Sequence, residues 1–215
     1  MATRSKKLAD DTLFIRMTDY FIQSTIAINF LVNNGLLGPT KRELHFILET
    51  GIKFLVTDQA LPGAGIEEKN QHLSALPDRF RETGEAVELP GFTDPIKLDF
   101  RTAVLNLYGS LSTIVHASQA QVASDLQKFQ QGIHFGFETI SQVNRINSVC
   151  LEVFDIAVVL ALHSIGLGLA GDIFVTVLDD EPKWIFHNTR FTKELSRHFD
   201  YKVERRQSPK RTSSE

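Results

Sequence analysis

Residues 11–59, DTLFIRMTDYFIQSTIAINFLVNNGLLGPTKRELHFILETGIKFLVTDQ, decide the fold. Phe14, Met17, Phe21, Ile28 and Leu31 recur at helical spacing, between a capping aspartate (Asp10 or Asp11) and Gly35 in the position of a C-terminal stop. GLLGPT (35–40) turns the chain, and Pro39 suits the start of a second helix. In that helix Leu44, Ile47, Leu48, Gly51, Phe54 and Leu55 share one face. A connection this short joins antiparallel helices, and Gly51 within the apolar face invites close approach of a neighbour.

Working outward, helical signals continue. LPGAG (61–65) breaks the chain, and residues 66–84 form a polar, weakly periodic helix or two helical turns interrupted at Pro77. EAVELPGFTDPIKLD (85–99) is too proline-rich for a helix and is expected as an ordered loop, placed to act as a lid. A helix over about 97–117 follows, then another over 118–132 ending at Gly132. Residues 138–178 supply the longest apolar block, one helix or two broken near Gly166–Gly171, with IFVTVL (173–178) open between strand and helix. TRFTKELSRHFDY forms a last helix capped by Thr189 or Thr192. The expectation is an all-α, antiparallel helical bundle: a flexible N-terminus over 1–9, one domain over 10–202 and a disordered basic tail over 203–215.

Composition narrows the function classes. Sixteen Phe stand against one Trp and three Tyr, a set suited to buried helix contacts rather than to a sugar- or base-stacking surface. The one cysteine, Cys150, excludes an intramolecular disulfide and a cysteine metal cluster, and reads as a small buried hydrophobe. The apolar run 156–171 is shorter than the about twenty residues a membrane span needs, so a core helix and no membrane are expected. MATRSKKLADD has no signal-peptide core, which gives a cytoplasmic expectation. The two ends carry eight basic groups against two acidic ones, leaving 15 basic and 24 acidic between them, a body near −9. Such a body is not a nucleic-acid face, although the tail can touch phosphates non-specifically.

No cofactor or metal is expected. LPGAG lacks a phosphate loop's lysine, GLGLAG (166–171) sits late in an apolar helix rather than after a strand, and no histidines and cysteines fall at metal-ligand spacing. The candidate chemistry lies on two helices. Around the 97–117 helix, Arg101, Tyr108, Ser112 and His116 share a boundary stripe about 80° wide. Fifteen residues span roughly 22 Å, so Arg101 cannot join His116 in one site, whereas Ser112 and His116 lie one turn apart. On the second helix Arg42, His45, Glu49 and Lys53 follow at spacings of three, four and four. They form either a charged solvent face or a face that meets another helix or subunit and brings Glu49 or Arg42 to His116, where a carboxylate orients an imidazole.

The hairpin over 20–55 and LYGSLSTIVHAS (107–118) together resemble the HEPN superfamily of helical bundles, over roughly residues 12–118. The resemblance implies a homodimer across the histidine-bearing helix, with RNA or a partner protein as the other component. Many members are metal-independent RNases, some acting as toxins or in phage defence, with an arginine four to six residues before a histidine. The chain departs from that pattern: those positions before His116 are Gly109, Ser110 and Leu111. Without a guanidinium at the phosphate, charge in the transition state loses its obvious stabiliser. The expected function is therefore a non-catalytic or degenerate HEPN-like interaction module in a bacterial defence or toxin–antitoxin setting. The alternatives are an atypical RNase using His116 across a dimer cleft, and a binder of small apolar ligands that uses 149–170 and the loop 85–99.

Overall fold

The computed structural model describes residues 12–115, 119–130, 132, 139–178 and 181–199. The helices are α1 (Leu13–Arg16), α2 (Thr18–Asn33), α3 (Leu37–Ala60), α4 (Ile66–Ser74), α5 (Phe80–Glu85), α6 (Asp94–Val115), α7 (Gln119–Gln130), α8 (Ile140–Ser164), α9 (Leu167–Ile173) and α10 (Arg190–His198). No strand occurs among the described residues, and the fold is the expected all-α bundle. The tail at 203–215 and the N-terminus at 1–9 lie outside the described residues.

α3 is the central element. It packs against α2, α6 and α8, and its buried positions include Leu44, Ile47, Leu48, Ile52 and Leu55. The turn into it closes as the sequence suggests. Gly35 takes φ +69°, its N–H donates to Val32 O, and the N–H of Leu36 donates to Leu31 O at 2.8 Å. This paired pattern needs a left-handed residue after the helix, which glycine supplies. Pro39 falls in the first turn of α3, where a missing N–H costs nothing. Gly51 meets α8 closely: a Cβ there would stand 3.0 Å from a Leu160 methyl.

The first helix differs from expectation in being two. Its break falls at Met17, beside Thr18, whose hydroxyl donates to Ile15 O at 2.8 Å and competes for the carbonyls of the preceding turn. Asp10 and Asp11, the expected caps, lie outside the described residues. Asp58 of α3 does that work, accepting from Leu13 N at 2.8 Å and Phe14 N at 3.0 Å. The same carboxylate holds the buried ammonium of Lys69 at 2.8 Å.

The expected lid is a correction. The loop runs only over 86–93, because α6 begins at Asp94 and takes Pro95 into its first turn. Val87, Leu89 and Phe92 of this loop are buried in the core. Gln59 clamps the Glu88 backbone through two bonds, and Arg101 donates to Val87 O at 2.7 Å. A segment held by its own apolar side chains and on two sides by polar ones is a core plug.

α8 opens with a capping box: Thr139 Oγ1 accepts from Gln142 N, and the Gln142 side chain accepts from Thr139 N. This helix is long and apolar enough to cross a membrane, and half of its most apolar window is buried inside the bundle. The chain breaks at Gly166, as the glycine run predicts, and 173–178 is helical, ending in a π turn over Phe174–Leu178. Thr189 occupies the cap position of α10, yet its hydroxyl turns to Asp155 of α8 at 2.7 Å. Asp155 also accepts from Phe191 N, Thr192 N and Thr192 Oγ1, so a buried carboxylate from another helix caps α10.

Candidate functional site at the seam of α3 and α6

The bundle brings five of the sequence-predicted residues together: His45, Glu49, Lys53, Tyr108 and Ser112. His45 on α3 is only 6% exposed, and its Nε2 lies 3.0 Å from Ser112 Oγ on α6. Ser112 Oγ donates to Tyr108 O, one turn back, at 2.7 Å. With that hydrogen committed, the imidazole Nε2–H is the donor to Ser112. On the other side of the ring, Nδ1 stands 3.5 Å from Glu49 Oε2, and Lys53 Nζ holds Glu49 Oε1 at 2.6 Å. The His45 and Tyr108 rings are 4.6 Å apart, and Phe80 of α5 stacks on Tyr108 at 3.6 Å. Burial, with the Glu49 charge adding to it, pushes the Tyr108 phenol above its ordinary 10.0, against smaller opposing effects from Ser112 and Lys53. Tyr108 is therefore a neutral donor at physiological pH.

The charged row on α3 is thus divided. Arg42 is exposed, while His45 and Glu49 face the neighbouring helix. Arg101 is committed to the loop at Val87, its Nε is buried with no partner among the described residues, and it stands eleven residues from Ser112, roughly 16 Å along α6. His116 lies outside the described residues. Phe80 is the contributor the sequence did not point to, since it sits singly between arginines in the polar stretch RFRE.

Serine, imidazole and carboxylate in this order resemble a nucleophile with its base and orienting group. Two features work against acyl chemistry here. The Ser112 hydroxyl points its hydrogen at a backbone carbonyl, and both partners lie inside helices whose N–H groups are consumed by helical bonds, leaving no backbone donors for an oxyanion. What the His45–Ser112 bond does is join α3 to α6, with the Glu49–Lys53 ion pair of α3 beside it.

Two cavities lie away from this seam. One of about 280 Å³ adjoins Asp99, Asn106 and Arg190. The other, about 700 Å³, lies between α2 and α8 and includes Cys150 and Phe154. It takes two residues from the block expected for an apolar ligand and none from the loop 85–99. Among the described residues no three His, Cys, Asp or Glu side chains stand together as metal ligands. Comparison with known proteins finds no matching family model, no matching curated protein and no matching solved structure.

Proposed function

We propose that the chain is a helical interaction module that acts as a homodimer through the outer face of α2. The observation that carries this reading is an exposed helix that carries no charge beyond Asp19 in its first turn. From Tyr20 to Thr40 the sequence holds no ionisable group except the Tyr20 phenol, yet Ile22, Ile26 and Phe30 are 51%, 66% and 63% exposed. Only Ser24 and Ile28 of α2 are buried. A helix facing water normally carries charge on its outer side, and a contiguous apolar patch marks an interaction surface.

The stripe is also suited to itself. Ile22, Ile26 and Phe30 are spaced by four on either side of Ile26. In an antiparallel two-fold pairing, Ile26 meets its own counterpart and Ile22 meets Phe30 of the other copy. Tyr20 and the half-exposed Phe46 extend the patch, their rings 6.4 Å apart. Covering these five side chains removes on the order of 500 Å² of apolar surface per subunit, enough for the centre of an interface of about 800 Å² per partner. The HEPN resemblance implies pairing across the histidine-bearing helix; the exposed face favours α2. Light scattering tests the reading: the expected mass is twice that of the 24.2 kDa chain, falling to the monomer in Ile26→Arg. A wild-type monomer at micromolar concentration would sink it.

The seam favours one alternative, a metal-independent RNase, because Ser112, which His45 meets at 3.0 Å, precedes His116 by four residues in the sequence. RNA cleavage in chelator-containing buffer that disappears in both His116→Ala and His45→Ala would support that alternative; absence of cleavage by the wild type would remove it.

A further inference from the structure

His163, on the last turn of α8, is a titratable group buried among apolar neighbours. It is only 7% exposed, and its Nδ1–H donates to Val159 O at 2.8 Å. That leaves Nε2 as a lone-pair acceptor, and it has no partner among the described residues. The second half of the loop 86–93 covers this nitrogen. Phe92 meets the imidazole edge-on, ring centroids 5.4 Å apart. A Cβ on Gly91 would stand 3.3 Å from Nε2, 3.1 Å from a Leu167 methyl and 2.5 Å from a Leu195 methyl, so glycine lets the backbone close over the ring between α8, α9 and α10. None of these neighbours ionises. Glu88 of the loop, Asp94 at the start of α6, Asp172 of α9 and Lys193 of α10 are exposed. Asp155 of α8 is committed to the start of α10, and Glu194 of α10 is paired with Arg197. The charged group that bears on the imidazole is His198 of α10, a like charge once protonated.

We propose that residues 90–92 form an acid-released latch, which lifts Gly91 and Phe92 off the His163 ring when Nε2 takes up a proton. Protonation turns an unpaired acceptor into a charged donor that has no acceptor in its apolar surroundings, and the chain relieves this by letting water in. The other walls are tied more firmly. α10 hangs on Asp155 of α8 through Thr189, Phe191 and Thr192, and the first half of the loop is clamped by Gln59 at Glu88 and by Arg101 at Val87. Residues 90–92 rely on packing instead: Pro90 has no N–H, and the Phe92 N–H stays within the loop, donating to Leu89 O at 3.0 Å. Burial lowers the His163 pKa below 6.5 against the opposing Val159 bond, and His198 lowers it further. Above that value the imidazole is neutral in both forms and the latch stays closed; below it the open form takes a proton that the closed form resists.

Native-state hydrogen exchange at the Phe92 N–H tests it, corrected for the intrinsic pH dependence of exchange and compared with Leu55 in the core of α3. Phe92 is expected to exchange by a local opening of lower free energy than Leu55, insensitive to low urea. Acidification from about pH 7 to about pH 5.5 should lower its protection several-fold, up to roughly eightfold, in the wild type. His163→Met should largely remove that response. Gly91→Ala should lower the protection of Phe92 roughly tenfold already at neutral pH, because the new methyl meets Leu195, Leu167 and His163 at once. The two variants act on opposite sides of the contact, so each checks the other. One protein concentration throughout keeps the readout independent of pairing through α2. Protection of Phe92 equal to that of Leu55 in the wild type, no response to pH, the same response in His163→Met, or unchanged protection in Gly91→Ala would each overturn the proposal.

Discussion

Asp58 and Asp155 place buried carboxylates at the starts of helices that lie far from them in sequence. Asp58 holds two backbone N–H groups of α1 and the ammonium of Lys69, which is only 2% exposed. Asp58→Ala removes the carboxylate at 2.8 Å from that buried ammonium together with the acceptor of two α1 backbone N–H groups, so a loss of about 3–5 kcal/mol is expected in urea unfolding. Asp155→Asn keeps one acceptor oxygen and should lose less, about 1.5–3 kcal/mol. Neither role was legible, because helical periodicity reads neighbours three and four apart while Leu13 and Asp58 are separated by 45 residues. His45 was legible only as a member of a charged row, since the Ser112 that turns it inward lies 67 residues away. His163 adds a pH dependence. Its Nδ1–H donates to Val159 O, while Nε2 is buried with no partner among the described residues, and burial lowers its pKa below 6.5. Below that value the unfolded chain binds a proton that the folded chain resists, so this contribution to stability is complete above about pH 6.5 and is lost on acidification. Chemical denaturation between about pH 7 and about pH 5.5 should show a steeper loss in the wild type than in His163→Met.

Elements were the most readable level, and their punctuation shows why. Gly35, Pro39 and Gly166 act through their own backbone geometry, so the breaks they cause need no distant partner. The extent of the loop at 86–93 was less readable. Pro95 signals an end to helix in general but is tolerated in a first turn, and the burial of Val87, Leu89 and Phe92 depends on elements packed from elsewhere. Two glycines separate backbone geometry from space. A Cβ would meet nothing within 4 Å at either Gly109 or Gly166. Gly109 lies inside α6, where alanine should raise stability by about 0.5–1 kcal/mol. Gly166 sits at φ +80° and ψ 149°, a region nearly closed to other residues, so Gly166→Ala should cost about 1–3 kcal/mol. Thermal unfolding of the two variants should move in opposite directions; a shared direction would mean that packing, not backbone geometry, governs these positions.

For the whole molecule, the bundle follows from apolar faces that find one another around α3, and α2 is a helix whose outer apolar stripe at Ile22, Ile26 and Phe30 stays exposed. If that face joins two copies, folding and association are linked, and stability depends on protein concentration. The thermal midpoint of the wild type should then rise by about 1–4 °C for each tenfold increase in concentration, the range expected for a chain of this size. Ile26→Arg places two like charges at the two-fold axis, where each would face its own copy. Its midpoint should be lower at high concentration and independent of dilution. The dilution test also separates the interface from the core. Ile26 is 66% exposed in the single chain, so arginine there disturbs little of the monomer's packing, and at sufficient dilution the wild-type midpoint should converge on that of the variant. A gap between them that persists unchanged at every concentration would assign Ile26 to the stability of the monomer and remove α2 as the pairing face.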